Sequence, residues 1–290
     1  MSKAAAVRRT VYSVAEEGED TFTAVCWMRG CLGLEIKPAR PDTPGFLTIE
    51  VYESLDGAEA GDRDAIPGGE RLRSEVVEDA DWMAPYREHV LPFTVGRRFL
   101  LDPREPQDLE PSTALSPDGR IRLRLPARSA FGTGSHESTR LALELLERAD
   151  VRGRRVLDVG TGTGILAFAA VGLGARLAVG FDNDVIAPLH AAVNARLNGV
   201  HTCLYAGTLD ALDPRYAFDV ALVNVVPEQI LPEIDSLVAR LAPGASAIFS
   251  GILRTAGPRF LRALRERGLV RRASRTAGEW VAYRTELVPR

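Results

Sequence analysis

The stretch "VLDVGTGTGILAFAA", residues 156–170, decides how the second half of the chain is read. Apolar residues lead to Asp158, then Gly160, Gly162 and Gly164 follow at alternate positions, and an alanine-rich segment begins at once. This is the pattern of a strand, a tight turn and a helix. Glycine lets the backbone approach a ligand closely, and the helix N-terminus offers unpaired N–H groups at a positive dipole end. Ile165 stands where the dinucleotide fingerprint G-x-G-x-x-G needs its last glycine, which argues against a nicotinamide cofactor.

Working outward, "RLAVGFD", "FDVALVN" and "GASAIFSGI" are further apolar runs that end in small or polar residues. Segments of helix length, such as 185–198, separate them, and this alternation predicts a parallel sheet covered on both faces. The closing stretch "LVRRASRTAGEWVAYRTEL" holds two strand-like runs around Gly278 with no helix between them. It reads as a terminal hairpin that places one antiparallel strand in an otherwise parallel sheet.

In open sheets of this kind ligands bind at the carboxyl ends of the strands, so the residues there are the site candidates. Asp182 closes the strand after the glycine turn, where a carboxylate can accept both hydroxyls of a ribose; capping of the next helix is the alternative, and Asp184 suits it better. Asn224 opens "NVVPE", residues 224–228. It is either a turn former or an acceptor that aims the lone pair of a substrate amine. Upstream, "SAFGTGSHESTRLALELLE", residues 129–147, places Gly132 and Gly134 in a turn before an amphipathic helix. That loop and helix start are positioned to fold over the carboxyl edge, with Thr139 available to bond a cofactor. His136 is either a catalytic base or a structural hydrogen-bonding group.

The first half has a different character. From Tyr12 to Glu53 the pattern gives a short strand, a helix over Glu17 to Arg29, and two alternating strands in "LGLEI" and "FLTIEVYES", a small α+β unit. Residues 56–70 are rich in glycine and acids and read as a loop. Trp82, Met83, Tyr86 and Val90 fall at helical spacing, a strand is expected near Phe93 to Leu101, and the segment from Pro103 to Pro117 marks a boundary. The expected organisation is therefore 1–80, a small α+β domain; 81–117, a linker helix and strand; and 118–290, the α/β domain.

Composition sets limits on function. The chain has 290 residues, 46% hydrophobic and 26% charged, with a formal net charge of −3, so nucleic acid is not expected as an obligatory partner. Lysine occurs only as Lys3 and Lys37, and arginine supplies the other basic residues. No apolar run has the length of a bilayer span and the start lacks a secretory signal pattern, so a cytoplasmic location is expected. Cys26, Cys31 and Cys203 form no disulfide framework, and the scattered histidines suggest no metal site.

Taken together, "AFGTGSHESTRLAL", "VLDVGTGTG", "GFDND", "NVV", "SGIL" and "GEWV", in this order, resemble the PrmA family, strongly over residues 128–286 and more loosely upstream. The resemblance implies a class I S-adenosylmethionine-dependent methyltransferase: a Rossmann-like, doubly wound, mostly parallel seven-stranded sheet with a small α+β N-terminal domain. It implies transfer of methyl groups from S-adenosyl-L-methionine to lysine and N-terminal amino groups of large-subunit ribosomal protein eleven, which the first domain would grip. Cofactor contacts carried over by the resemblance are Thr139, Gly160 with its turn partner Gly162, Asp182 and Asn224, the last also facing the substrate as the catalytic group. Pro227 and Glu228 stand where the family is usually small and apolar, which bears on substrate choice. An amino-methyltransferase acting on another protein or small amine, and a non-catalytic ribosome-interaction module, are the rival readings.

Overall fold

The computed structural model describes residues 7–29, 31, 33–38, 43–54, 66–77, 91–104, 116, 118–126, 134–213 and 215–288. The chain divides into two compact units, Met1–Glu88 and His89–Arg290.

In the first unit, β1 (Val7–Ala15), β2 (Gly33–Lys37), β3 (Phe46–Ser54) and β4 (Gly69–Val77) form an antiparallel sheet in the order β2-β3-β1-β4. Alternate residues of β3 (Leu47, Ile49 and Val51) join Tyr12 and Val14 of β1 in a core closed by Phe22 and Cys26 of α1 (Glu19–Met28). Glu50, between them in sequence, is 3% exposed and accepts from Lys37 Nζ at 2.8 Å and Tyr52 Oη at 3.1 Å. β4 is an addition to the sequence reading, and its first two residues fall inside the segment read as a loop. Nearly every residue of β4 is exposed, so no apolar alternation announced it. Residues 56–65 and the expected linker helix with Trp82, Met83, Tyr86 and Val90 lie outside the described residues.

The second unit opens with a three-stranded sheet of β5 (Phe93–Val95), β6 (Phe99–Asp102) and β7 (Ile121–Arg124). The single strand expected over Phe93 to Leu101 is thus a hairpin. The chain reverses at Gly96, whose φ of 56° suits glycine, and the Glu147 carboxylate accepts the N–H groups of Arg97 and Arg98 at 2.7 and 3.1 Å.

The main sheet has seven strands in the order β10-β9-β8-β11-β12-β14-β13. They are β8 (Arg155–Val159), β9 (Leu177–Asp182), β10 (Cys203–Ala206), β11 (Phe218–Asn224), β12 (Leu241–Leu253), β13 (Leu269–Ala277) and β14 (Trp280–Leu287). β14 runs antiparallel to both neighbours and the other pairs are parallel, as the hairpin pattern around Gly278 predicts. The helices are α2 (Glu137–Leu146), α3 (Ile165–Gly172), α4 (Ile186–Asn198), the short α5 (Pro227–Ile230) and α6 (Ile234–Val238), and α7 (Gly257–Arg265). α2 buries Leu141, Ala142, Leu143, Leu145 and Leu146 against β11, β12, β14 and β13, which fixes its first turn over the sheet. Among the described residues no helix is long and apolar enough to cross a membrane.

Candidate active site

The order of the strands locates the site. From β8 the chain steps outward to β9 and β10, then returns to place β11 on the other side of β8, so a crevice opens at the carboxyl ends of β8 and β11. Gly160 sits on its floor with φ 67°, and a Cβ there would come within 2.5 Å of Val225 Cγ1, just beyond β11. Gly162 follows with φ 50°. The N-cap of α3 is Gly164 with no side-chain capping bond; of the first-turn amides, that of Ala167 is taken by the Asp158 carboxylate, which leaves those of Ile165 and Leu166 without a side-chain partner among the described residues.

Asp182 stands at the end of β9 beside this turn. Its Oδ2 accepts the Gly162 N–H at 3.0 Å and its Oδ1 the Asp184 N–H at 3.1 Å. A carboxylate has about four lone-pair positions, so these bonds leave acceptor capacity for a ligand hydroxyl. Burial raises the pKa of Asp182, and the bonds from Gly162 and Asp184 oppose that rise. Asp184 takes the capping role, its Oδ1 accepting the N–H of Ile186 at 2.9 Å.

Asn224, at the end of β11, donates from Nδ2 to Thr139 Oγ1 at 3.1 Å, joining residues 85 positions apart. Thr139 is fully buried in the first turn of α2, as the third residue of the helix. Asn224 Oδ1 is buried and has no hydrogen-bond partner among the described residues. An unsatisfied buried acceptor costs about 1–3 kcal/mol, and Asn224 stands at the crevice end of its strand, where a ligand N–H can relieve it. The predicted residues therefore form a continuous arc: Thr139 with Asn224, then Gly160, then Gly162 with Asp182. Gly132 lies outside the described residues.

His136 occupies a hydrogen-bonding position at the start of α2. It is the N-cap of α2, its Nδ1 accepting the Ser138 N–H at 3.2 Å and lying 2.7 Å from Ser138 Oγ. Its ring meets Trp280 edge-on, with centroids 4.8 Å apart. Burial lowers its pKa, with Glu137 pulling the other way. Ser250 Oγ on β12 donates to Ser138 O at 2.7 Å, so the first turn of α2 is tied to β12 as well as to β11. Pro227 begins α5, and Glu228 is exposed in that helix's first turn.

Two groups beneath the turn escaped the sequence reading. Asn194 of α4 donates from Nδ2 to Thr163 O at 3.1 Å, and Asn198, one turn on, accepts the N–H of Arg124 and donates to its carbonyl, both at 2.7 Å. The spacing of four puts both amides on one face, and they fix the glycine turn and β7 to the same helix. The second group is Asp158, 1% exposed, whose Oδ2 accepts from Thr161 Oγ1 at 2.8 Å and Ala167 N at 3.1 Å while Oδ1 has no partner among the described residues. An acid inside the apolar run "VLDV" was the available signal.

Burial pushes the Asp158 carboxyl up to about 7, against the pull of its bonds from Thr161 and Ala167. A carboxyl raised in this way binds its proton more tightly in the folded state. Stability is then highest at low pH and is lost as pH rises from the ordinary value of 3.8 through about 7. Between about pH 5 and about pH 8 this group should remove on the order of 3 kcal/mol of stability. Asp158→Asn, similar in shape and neutral throughout, should flatten that slope. Denaturant midpoints of the two proteins across the range check this; parallel profiles would refute it.

The arc suits a nucleoside-bearing ligand: a glycine turn leading into the N-terminus of α3, the Asp182 carboxylate with acceptor capacity to spare, and at Asn224 an acceptor without a partner among the described residues. Comparison with known proteins agrees. The family described as ribosomal protein L11 methyltransferase (PrmA) matches residues 51–287. The chain is 39% identical over 232 residues to the ribosomal protein L11 methyltransferase of Geobacter sulfurreducens, covering 78% of this chain and 74% of that one. Against the protein of the same name from Desulforapulum autotrophicum it is 34% identical over 257 residues, covering 86% and 83%. Among solved structures, a ribosomal protein L11 methylase from Lactobacillus delbrueckii subsp. bulgaricus superposes with a TM-score of 0.59 at 30% identity, covering 68% of this chain and 99% of that one.

Proposed function

The chain belongs to the ribosomal protein L11 methyltransferase (PrmA) family, and on that premise we propose that the arc from Thr139 to Asp182 holds S-adenosyl-L-methionine for methylation of amino groups of ribosomal protein L11. The observation that carries this reading is Asn224, tied to Thr139 by Nδ2 and left with an unpartnered Oδ1. When bound, S-adenosylmethionine supplies a methyl group on a positive sulfur that an amine takes directly, leaving S-adenosylhomocysteine.

The residues of the chain divide the remaining work. Asp182 accepts ribose hydroxyls with its remaining lone pairs, and the backbone of Gly160 and Gly162 leaves room for close approach. Asn224 Oδ1 accepts an N–H of the target amine and so aims the nitrogen's lone pair along the line of displacement. That alignment is the main gain, because a reacting pair held in line needs little acid–base help. A lysine must attack in its neutral form, and from a pKa near 10.4 this costs about 4.6 kcal/mol at pH 7. A partly dry crevice beside a positive sulfur lowers that cost by favouring the neutral amine. His136, already engaged through Nδ1, is not needed as a base.

In this reading residues 1–80 form the part that grips the substrate, 81–117 connect it, and 118–290 carry the transfer. Lysine and N-terminal amines of L11 are the acceptors, L11 is used free or on the ribosome, the reaction needs no nucleic acid, and the enzyme works in the cytoplasm. Methyl transfer from radiolabelled S-adenosylmethionine to purified L11, followed by intact mass, is the test. L11 heavier by whole methyl units is the expected result. No incorporation, with cofactor binding intact by calorimetry, would overturn the assigned substrate.

A further inference from the structure

The end of the chain is charged unlike the rest. Residues 254–290 hold ten arginines against three acids, a formal +7 in a chain whose net charge is −3. α7 buries Phe260 and Leu264 in the core and leaves Arg259, Arg262 and Arg265 exposed; Arg254, in the turn before it, is exposed too. None of these four guanidinium groups meets an acid or a side-chain partner among the described residues, whereas Arg267 nearby pairs with Asp235 and Arg272 with Glu286.

Helix energetics do not account for the row. Cations in a last turn complement the helix dipole by about 0.3–1 kcal/mol, which covers Arg262 and Arg265. The same dipole disfavours Arg259 and Arg254 at the other end. Like charges three apart on one face also repel, so the row costs helix stability. Its backing is firm, because Phe260 is 1% exposed and packs edge-on against Phe249 of β12 at 5.5 Å. The row begins at a significant place. β12 ends at the carboxyl edge of the sheet beside β11, so Arg254 stands on the edge that carries Asn224, and α7 leads away from it.

We infer that this arginine face binds the phosphate backbone of RNA next to the catalytic crevice. Guanidinium groups grip phosphate oxygens in pairs, and such contacts need no base sequence. The inference rests on the proposed function in one respect: a ribosomal protein as substrate is what brings RNA to this edge. Contact with RNA would add residence time there without taking part in the transfer.

The test is anisotropy of a short labelled single-stranded RNA of mixed sequence, titrated with the full chain at several salt concentrations. Four phosphate contacts predict a log–log salt slope of about −3. The variant Arg259→Glu/Arg262→Glu/Arg265→Glu should lose at least about tenfold in low-salt affinity and flatten the slope by about 2. It should still methylate free L11. Should charge reversal unfold α7, the neutral set Arg259→Gln/Arg262→Gln/Arg265→Gln keeps good helix formers and should show the same loss. No RNA binding by the unaltered protein at low salt, or equal binding by the folded variants, would overturn the inference. So would equally tight binding of polyglutamate, which would assign the face to an acidic protein. Salt-dependent RNA binding without methylation of L11 would sink the proposed function and leave this inference standing.

Discussion

Asn224→Ala should lower the rate of methyl transfer about a hundredfold at saturating cofactor and substrate, while cofactor affinity changes by no more than a few-fold. The truncation removes an acceptor of the crevice that has no partner among the described residues, and misplacing a reacting atom by about an ångström is worth roughly that factor. It also removes the donor to Thr139, but the first turn of α2 keeps its tie to Ser250 and should stay in place. Asn224→Asp provides the control. It retains an acceptor, and the Thr139 hydroxyl can reverse its role and donate, so its turnover should lie between those of the alanine variant and the native enzyme. Single-turnover rates set beside calorimetric affinities separate the two quantities. Equal losses in both would assign Asn224 to binding alone.

The second large effect belongs to Asp182→Ala, which should weaken S-adenosylmethionine binding about a hundredfold or more. Hydrogen bonds to a charged group are worth about 1.5–3 kcal/mol each, and two ribose hydroxyls on one carboxylate reach that factor at the lower bound. Loss of the acceptor for the Gly162 N–H adds to the effect by loosening the turn. Rate at saturating cofactor should recover most of its native value, because Asp182 stands at β9, away from the Asn224 end of the arc. Since burial raises its pKa, affinity in the native protein should begin to fall at a higher pH on acidification than an ordinary carboxylate would give. Calorimetry across pH measures both. An unchanged affinity would leave Asp182 as a turn-holding residue only.

The sequence was readable wherever one physical signal dominated. β8, β9, β11 and β12 lie buried on both faces, so their apolar runs stood out, and the site candidates followed from the strand ends. β4 and β10 left weaker traces: the first is exposed almost throughout, and the second is four residues long. The hairpin at Gly96 was hidden because its turn is held by Glu147, 50 residues away, and nothing local marks such a partner. The same holds for the bond between Asn224 and Thr139. Each residue could be suspected separately, but only the fold brings them together. Asp158 was legible as an acid in an apolar run, yet its unpartnered oxygen depends on packing from α3 and the turn.

The order of the main sheet also bears on how this chain behaves in company. A parallel sheet exposes two rows of backbone groups, one on each outer strand, and such rows recruit other chains. Here one outer strand, β10, is only four residues long. The other, β13, is nine residues long, but its register slips between Arg271 and Ala273, and Arg271 and Arg272 are exposed at that irregularity. A bulge twists the strand away from an incoming partner, and charge there penalises stacking of one molecule on the next. Both margins thus discourage edge-to-edge pairing of one copy of the chain with another.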